Sequence, residues 1–143
     1  MIDNYRHSDI TGLIIKSYYN VYNQLSYGFL EKVYQNAMLI ELGKFELACI
    51  PQKPIDVFYD NIKVGFYLAD IVVNNCVVVE IKAVETLCGQ HEAQLTNYLR
   101  ATDIEVGILL NFGKKAQFKR KVFSTEYKIL KDRPNHNNPR SIS

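Results

Sequence analysis

The sequence predicts an α/β fold in three layers, a mixed central β-sheet flanked by helices, on three observations. Apolar residues recur at helical spacing from Ile10 to Leu42, β-rich runs punctuated by turn formers fill the middle, and a helix-period segment then separates two strongly apolar runs at 77–81 and 106–110. A run as apolar as Val77-Val78-Val79-Glu80-Ile81 suits a strand covered on both faces, which places it centrally in the sheet.

The elements follow in order. Ile10, Leu13, Ile14, Tyr18, Val21, Tyr22 and Leu25 predict a helix over about 9–24, with Ser8 or Asp9 able to cap its start. After a Ser26-Tyr27-Gly28 break, Phe29, Leu30, Val33, Tyr34, Ala37, Met38 and Leu42 mark a second helix that ends at Gly43. From Glu46 onward strands are expected near 46–50, 54–59, 62–73 and 76–84, separated by Pro51, Pro54, Asp60-Asn61 and Asn74-Asn75. Gln90 to Thr102 returns to helical spacing through Ala93, Leu95, Tyr98 and Leu99; Glu105 to Asn111 reads as a buried strand, and 117–123 as an edge strand. The expected order is ααββββαββ. Residues 131–143 carry Pro134, Pro139 and three Asn with almost nothing apolar, so a flexible tail is expected after a single domain over 1–130.

A chain of 143 residues, 48% hydrophobic and 22% charged, can bury a real core. It holds no run of about 18 apolar residues, and its start mixes Asp3, Arg6 and Asp9, so neither a membrane span nor a signal peptide is expected. Cys49, Cys76 and Cys88 are odd in number and widely spaced, without a Cys-x-x-Cys pair or a His at zinc-ligand spacing, which suits reduced thiols in a cytoplasm. The net charge of +2 hides an asymmetry: residues 114–143 hold nine Lys or Arg against Glu126 and Asp132, which makes that stretch +7 and the rest −5. Such a split fits a polyanionic partner, or simply a solvated basic end.

The chemistry is expected elsewhere. Glu80 and Lys82 stand two apart on an expected strand, so they share a face with Cβ atoms about 6.5–7 Å apart. Burying these charges among Val79, Ile81 and Val84 costs roughly several kcal/mol per ion unless partners compensate. Asp70 likewise interrupts an apolar run, from Phe66 to Val73, and two acids in one interior call for a cation between them. Parity supplies a structural condition. A two-residue Asn74-Asn75 loop pairs Asp70 with Val79, whereas a loop centred on Asn75 sets Asp70 opposite Glu80. Asp70, Glu80, the backbone carbonyl of Ile81 and waters would make an all-oxygen site suited to Mg²⁺ or Mn²⁺. Such an ion would activate a water and polarise a scissile phosphate while the Lys82 ammonium orients that water, which is phosphodiester hydrolysis. For a lone Glu-x-Lys, the plain alternative is an ion pair at a sheet edge.

Asp70, nine intervening residues and then Glu80-Ile81-Lys82 resembles the active-site signature of the PD-(D/E)XK nuclease superfamily, with Ala69 where the nominal proline stands. Gln94-Leu95-Thr96-Asn97-Tyr98 resembles the Gln-x-x-x-Tyr motif of its RecB-like branch, and residues four apart on a helix share a face. Gly28-Phe29-Leu30-Glu31-Lys32-Val33-Tyr34, with Gln35-Asn36-Ala37 beside it, resembles the motif that names the GxxExxY protein family. His91-Glu92-Ala93-Gln94 and Val106 to Gly113 extend the likeness over most of residues 10–123.

The resemblance implies a restriction-endonuclease-like core and a Mg²⁺- or Mn²⁺-dependent nuclease acting on DNA or RNA. By it, Asp70, Glu80 and Glu31 hold the metal, Gln94 positions Lys82 or the nucleotide, and Tyr98 packs beneath or touches substrate. The basic stretch 114–121, with Lys114, Lys115, Lys119 and Arg120, is expected to receive phosphates. Each role has a plain counterpart: Glu31 as a surface acid, Gln94 as an exposed amide, and Tyr34 and Tyr98 as core aromatics, with His91 as a helix-start residue. The rival to the enzyme is a catalytically silent module of the same fold that binds nucleic acid or a protein partner. For the enzyme, a chain this small with no obvious specificity domain is expected to rely on a homodimer or a partner protein for specificity.

Overall fold

The computed structural model describes residues 7–124; residues 1–6 and the tail expected at 131–143 lie outside the described residues. Eight elements occur among them: α1 (Ser8–Leu25), α2 (Glu31–Gly43), β1 (Cys49–Tyr59), β2 (Ile62–Val73), β3 (Val77–Lys82), α3 (Gly89–Arg100), β4 (Val106–Phe112) and β5 (Ala116–Val122). The sheet order is β1-β2-β3-β4-β5. β3 and β4 run parallel, joined through α3, and the other neighbours are antiparallel, so the sheet is mixed.

Two cores lie on its two faces. Ile14, Tyr18, Val21, Tyr34, Met38 and Leu42 of α1 and α2 pack on Ile71, Val79, Ile81, Ile108 and Phe112. On the other face Leu95 and Leu99 of α3 pack on Ile55, Ala69, Val72, Val78 and Leu109. The alternation along β3, with Val77, Val79 and Ile81 on one side and Val78 and Glu80 on the other, is why its sequence is apolar almost throughout. Rings tie the first face together: Tyr34 stacks on Phe112 at 4.1 Å and Tyr18 meets Phe112 edge-on at 4.9 Å, contacts worth about 0.5–1.5 kcal/mol each beyond their buried area.

Several expectations are corrected. Neither Ser8 nor Asp9 caps α1; His7 occupies that place in a left-handed conformation, φ 56°, with no side-chain cap. The second helix begins at Glu31 rather than Phe29; Leu30, still extended just ahead of it, is 80% exposed, and Phe29 before it and Val33 on the outer side of the helix also face solvent. The strands expected at 46–50 and 54–59 are one continuous strand, giving ααβββαββ. Pro51 and Pro54 are tolerated because β1 is the sheet's edge, where ladder amides on the outer side are dispensable. Asp60 and Asn61, at φ 56° and 62°, form the two-residue turn that joins β1 to β2.

Candidate active site

The β2–β3 connection decides how the acids meet. Val73 pairs with Val77, Val72 with Val78 and Ile71 with Val79, so the loop is Asn74-Asn75-Cys76, centred on Asn75. Asn74 and Asn75 accept the left-handed φ values of 49° and 55° that this turn demands, and Asn74 Oδ1 accepts the Ala48 amide at 2.7 Å. Continuing the register by one residue sets Asp70 opposite Glu80. The backbone of each strand serves the other's acid: the Asp70 amide donates to Glu80 Oε2 at 3.2 Å, and the Ile81 amide donates to Asp70 Oδ2 at 2.8 Å.

Glu80 is 5% exposed, and its carboxyl is pushed up to about 8, first by burial and then by the Asp70 charge, against the Asp70 amide and Lys82. Burial also pushes Asp70 up, opposed by the Ile81 amide, Gln52 and the charges of Lys82 and Lys32. Lys82 follows on the same strand face, and its Nζ donates to Gln94 Oε1 of α3 at 3.1 Å. The segment after Lys82 is clamped to β4, where Asn111, wholly buried, accepts the Val84 amide at 2.9 Å and donates to the Val84 carbonyl at 2.8 Å.

Glu31, the first residue of α2, is exposed. Its charge reaches Glu80, but it does not join Asp70 and Glu80 in a group of three His, Cys, Asp or Glu able to hold a metal; no such group occurs among the described residues. Two facing carboxylates, both resisting ionisation, nevertheless fit one hard cation that keeps waters in its remaining positions. Asp70 and Glu80 are the residues that would hold it.

Tyr98 stands at the site: it lies flat on Tyr67, and burial first, then the charges of Glu80 and Asp70, push its hydroxyl up to about 12. Other expected site residues are dispersed. Tyr34 is a core residue whose hydroxyl donates to the Ser26 carbonyl at 2.7 Å. His91 Nδ1 accepts the Cys88 amide at 3.1 Å and so serves the start of α3. Lys119 pairs with Leu109, which pairs with Glu80, on the α3 side of the sheet; its Nζ lies 3.9 Å from Glu92. Arg120 pairs with Ile108 and falls on the opposite face, while Lys114 and Lys115 sit on the β4–β5 turn. The basic residues are thus not gathered on one surface.

Three partners of the site escaped the sequence reading. Gln52 lies between the Pro51–Ile71 and Lys53–Ala69 pairs, opposite Asp70, in a left-handed conformation with φ 51°. Its Nε2 donates to Gln35 Oε1 at 2.6 Å and, at 3.4 Å, to Asp70 Oδ1. Tyr67 is the third, and strict alternation along β2 would have sent it to the face away from Asp70. Side-chain parity flips there: Ala69 and Val72 both belong to the α3-side core, and Ile71 to the other.

A family model described as the PD-(D/E)XK nuclease superfamily matches residues 8–121. The chain belongs to that superfamily. No curated protein matches it. A solved structure titled "Crystal structure of SSO0001" is similar, with 19% identity and a TM-score of 0.49 over 71% of this chain and 55% of that one; this chain thus spans about half of that structure's length. Membership in the PD-(D/E)XK superfamily agrees with the mixed five-stranded sheet and its three flanking helices, a restriction-endonuclease-like arrangement. The β2–β3 hairpin of this fold carries Asp70, Glu80 and Lys82. No helix among the described residues is long and apolar enough to cross a membrane.

Proposed function

We propose that this member of the superfamily is a divalent-metal-dependent nuclease that hydrolyses phosphodiester bonds of DNA or RNA, and that it belongs with the RecB-like branch and the GxxExxY family. The observation that supports this most is the register of the β2–β3 hairpin, which sets Asp70 against Glu80 with Lys82 on the same strand face. An alternating strand with a loop one residue shorter would have turned the two acids apart.

In this reading Asp70 and Glu80, with the Ile81 carbonyl, hold Mg²⁺ or Mn²⁺, which when bound supplies Lewis acidity to the scissile phosphate. The Ile81 amide fixes one Asp70 oxygen, leaving Oδ1 to face the site beside Gln52. Lys82 orients the attacking water and offsets charge as the phosphorane develops, and Gln94 holds the ammonium in place. Tyr98 lines the α3 side, and Glu31 and Lys32, at the start of α2, act on the site through their charge. Lys114, Lys115, Lys119 and Arg120 meet phosphates at more than one place on the surface.

The test is cleavage of labelled single- and double-stranded DNA and RNA with Mg²⁺ or Mn²⁺ by wild type, Lys82→Ala and Asp70→Asn. Cleavage by wild type that both variants lose supports the nuclease. A folded wild type that cuts nothing favours the silent binding module instead, a reading supported by the apolar side chains exposed on the β1–β2 hairpin, among them Phe58, Tyr59 and Phe66.

A further inference from the structure

Tyr67 lies outside every motif that carries the superfamily likeness, yet it is built into the wall of the site. It stands on β2 three residues before Asp70, and its ring lies on that of Tyr98 from α3, centroids 3.5 Å apart and planes 15° from parallel. Both rings pack against the core that α3 shares with Val72, Val78 and Leu109, on the sheet face that presents Glu80. The stack therefore ties the β1–β2 hairpin to α3 beside the two carboxylates.

The hydroxyl is out of keeping with this setting. It is shut off from solvent and makes no hydrogen bond among the described residues. The hydroxyls of Tyr18, Tyr22 and Tyr34 each hold a backbone carbonyl. A buried hydroxyl without a partner costs about 1–3 kcal/mol, and phenylalanine would give the same stack without that cost. Nearby, Glu80 uses Oε2 to accept the Asp70 amide, while Oε1 makes no hydrogen bond among the described residues. The charge of Glu80 is felt at the Tyr67 hydroxyl, so the two lie within reach of one another's field.

A buried hydroxyl without a partner and a carboxylate oxygen that no described protein group holds, on one sheet face and within each other's field, suit a site that completes itself when an ion arrives. Carboxylates that ligate metals are commonly held by a further hydrogen bond that fixes their orientation. We infer that Tyr67 is a positioning residue for Glu80, its hydroxyl donating to the Glu80 carboxylate when a divalent cation is bound; the role rests on the metal-dependent reading above.

The experiment pairs two readouts on wild type, Tyr67→Phe, Tyr67→Leu and Glu80→Gln. One is Mn²⁺ binding, followed as loss of the free-ion electron paramagnetic resonance signal. The other is thermal unfolding without metal. Tyr67→Phe is expected to unfold at or above the wild-type temperature, since it keeps the stack and drops an unpaired hydroxyl, yet to bind Mn²⁺ roughly tenfold more weakly. Tyr67→Leu should lose both stability and affinity, and Glu80→Gln should lose the ion. Equal Mn²⁺ affinity in Tyr67→Phe and wild type overturns the role, and so does a lower unfolding temperature for Tyr67→Phe, because the hydroxyl then has a structural partner. A wild type that binds no Mn²⁺ overturns the metal-dependent reading and this role together. Binding lost in Glu80→Gln but unchanged in Tyr67→Phe removes the Tyr67 role alone.

Discussion

Asp70 and Glu80 face each other across the β2–β3 hairpin, with the amide of Asp70 donating to Glu80 Oε2 at 3.2 Å. The contact is not a mutual neutralisation, since both groups are acids. Burial and the proximity of Asp70 hold Glu80 up to about 8, and burial holds Asp70 above the usual carboxylate range as well. Lys82 is the cation of the same strand face, and its Nζ is turned to Gln94. The fold therefore holds two buried acids together at a cost in stability, a cost that the proposed cation would relieve.

That pattern sets the pH dependence of the metal-free protein. Between the ordinary carboxyl value of 4.5 and about 8, the folded chain holds protons on this pair that the unfolded chain has released. The stability that this pair contributes is accordingly fully present below the ordinary carboxyl range and is lost as pH rises toward about 8, by on the order of a few kcal/mol. Urea unfolding at pH 5, 6, 7 and 8 in chelator should give a falling midpoint, and Glu80→Gln should flatten the slope. A wild-type midpoint that rises over this range contradicts the assignment. Mn²⁺ binding should release protons and strengthen over the same interval.

Much of this site was legible in the sequence because charge inside an apolar run has few cheap explanations. Asp70, Glu80 and Lys82 stood out for that reason, and the Gln94 spacing placed it on the helix that follows. What remained open was three-dimensional. The loop after Val73 could have held two residues or three, and only the pairing of Val73 with Val77 chooses. Whether β1 was an edge strand decided whether Pro51 and Pro54 broke it, and edge position depends on the whole sheet. Leu30 and Val33 fit a helical stripe, but the chain does not bury them. Gln52 and Tyr67 were hidden by the local irregularity opposite Asp70, which period-two reasoning excludes by construction.

Gln52 offers a test of that irregularity. A non-glycine residue at φ 51° carries strain of about 1 kcal/mol, retained where its side chain bridges Gln35 and Asp70. Gln52→Ala should keep the strain and lose the bridge, leaving the buried Gln35 amide unsatisfied, for a loss of about 1–3 kcal/mol. Gln52→Gly should recover about 1 kcal/mol of that. Chemical denaturation of the three proteins checks the order wild type, Gly, Ala; an alanine variant as stable as glycine would show that the backbone is unstrained.

Gln94 separates positioning from substrate contact. Its side chain lies at the surface and accepts from Lys82 at 3.1 Å, so Gln94→Ala should change stability by no more than about 0.5 kcal/mol. On the proposed reaction, kcat should fall roughly tenfold or more with KM little altered, since the ammonium loses its tether. A rise in KM at unchanged kcat would instead assign Gln94 to nucleotide binding. Steady-state kinetics on a cleavable oligonucleotide distinguishes the two.

Gly113 bears on the site through backbone rather than charge. A Cβ there would stand 2.4 Å from the Val84 carbonyl oxygen and 2.9 Å from the Asn111 amide nitrogen, the pair whose hydrogen bond clamps the chain just after Lys82. Neither atom can swing aside without breaking that clamp. At Gly107, by contrast, the same addition meets Leu95 Cδ1 at 2.8 Å, the far end of a side chain that can change rotamer. Gly113→Ala should therefore cost more than Gly107→Ala, about 3 kcal/mol or more against about 1–2 kcal/mol. Its damage should also reach Lys82: Gly113→Ala is expected to lower kcat even at temperatures where it is fully folded, whereas folded Gly107→Ala should cleave at the wild-type rate. Melting curves with rates taken well below each transition decide this, and a Gly113→Ala protein of normal kcat would mean that the Val84 clamp does not position the lysine.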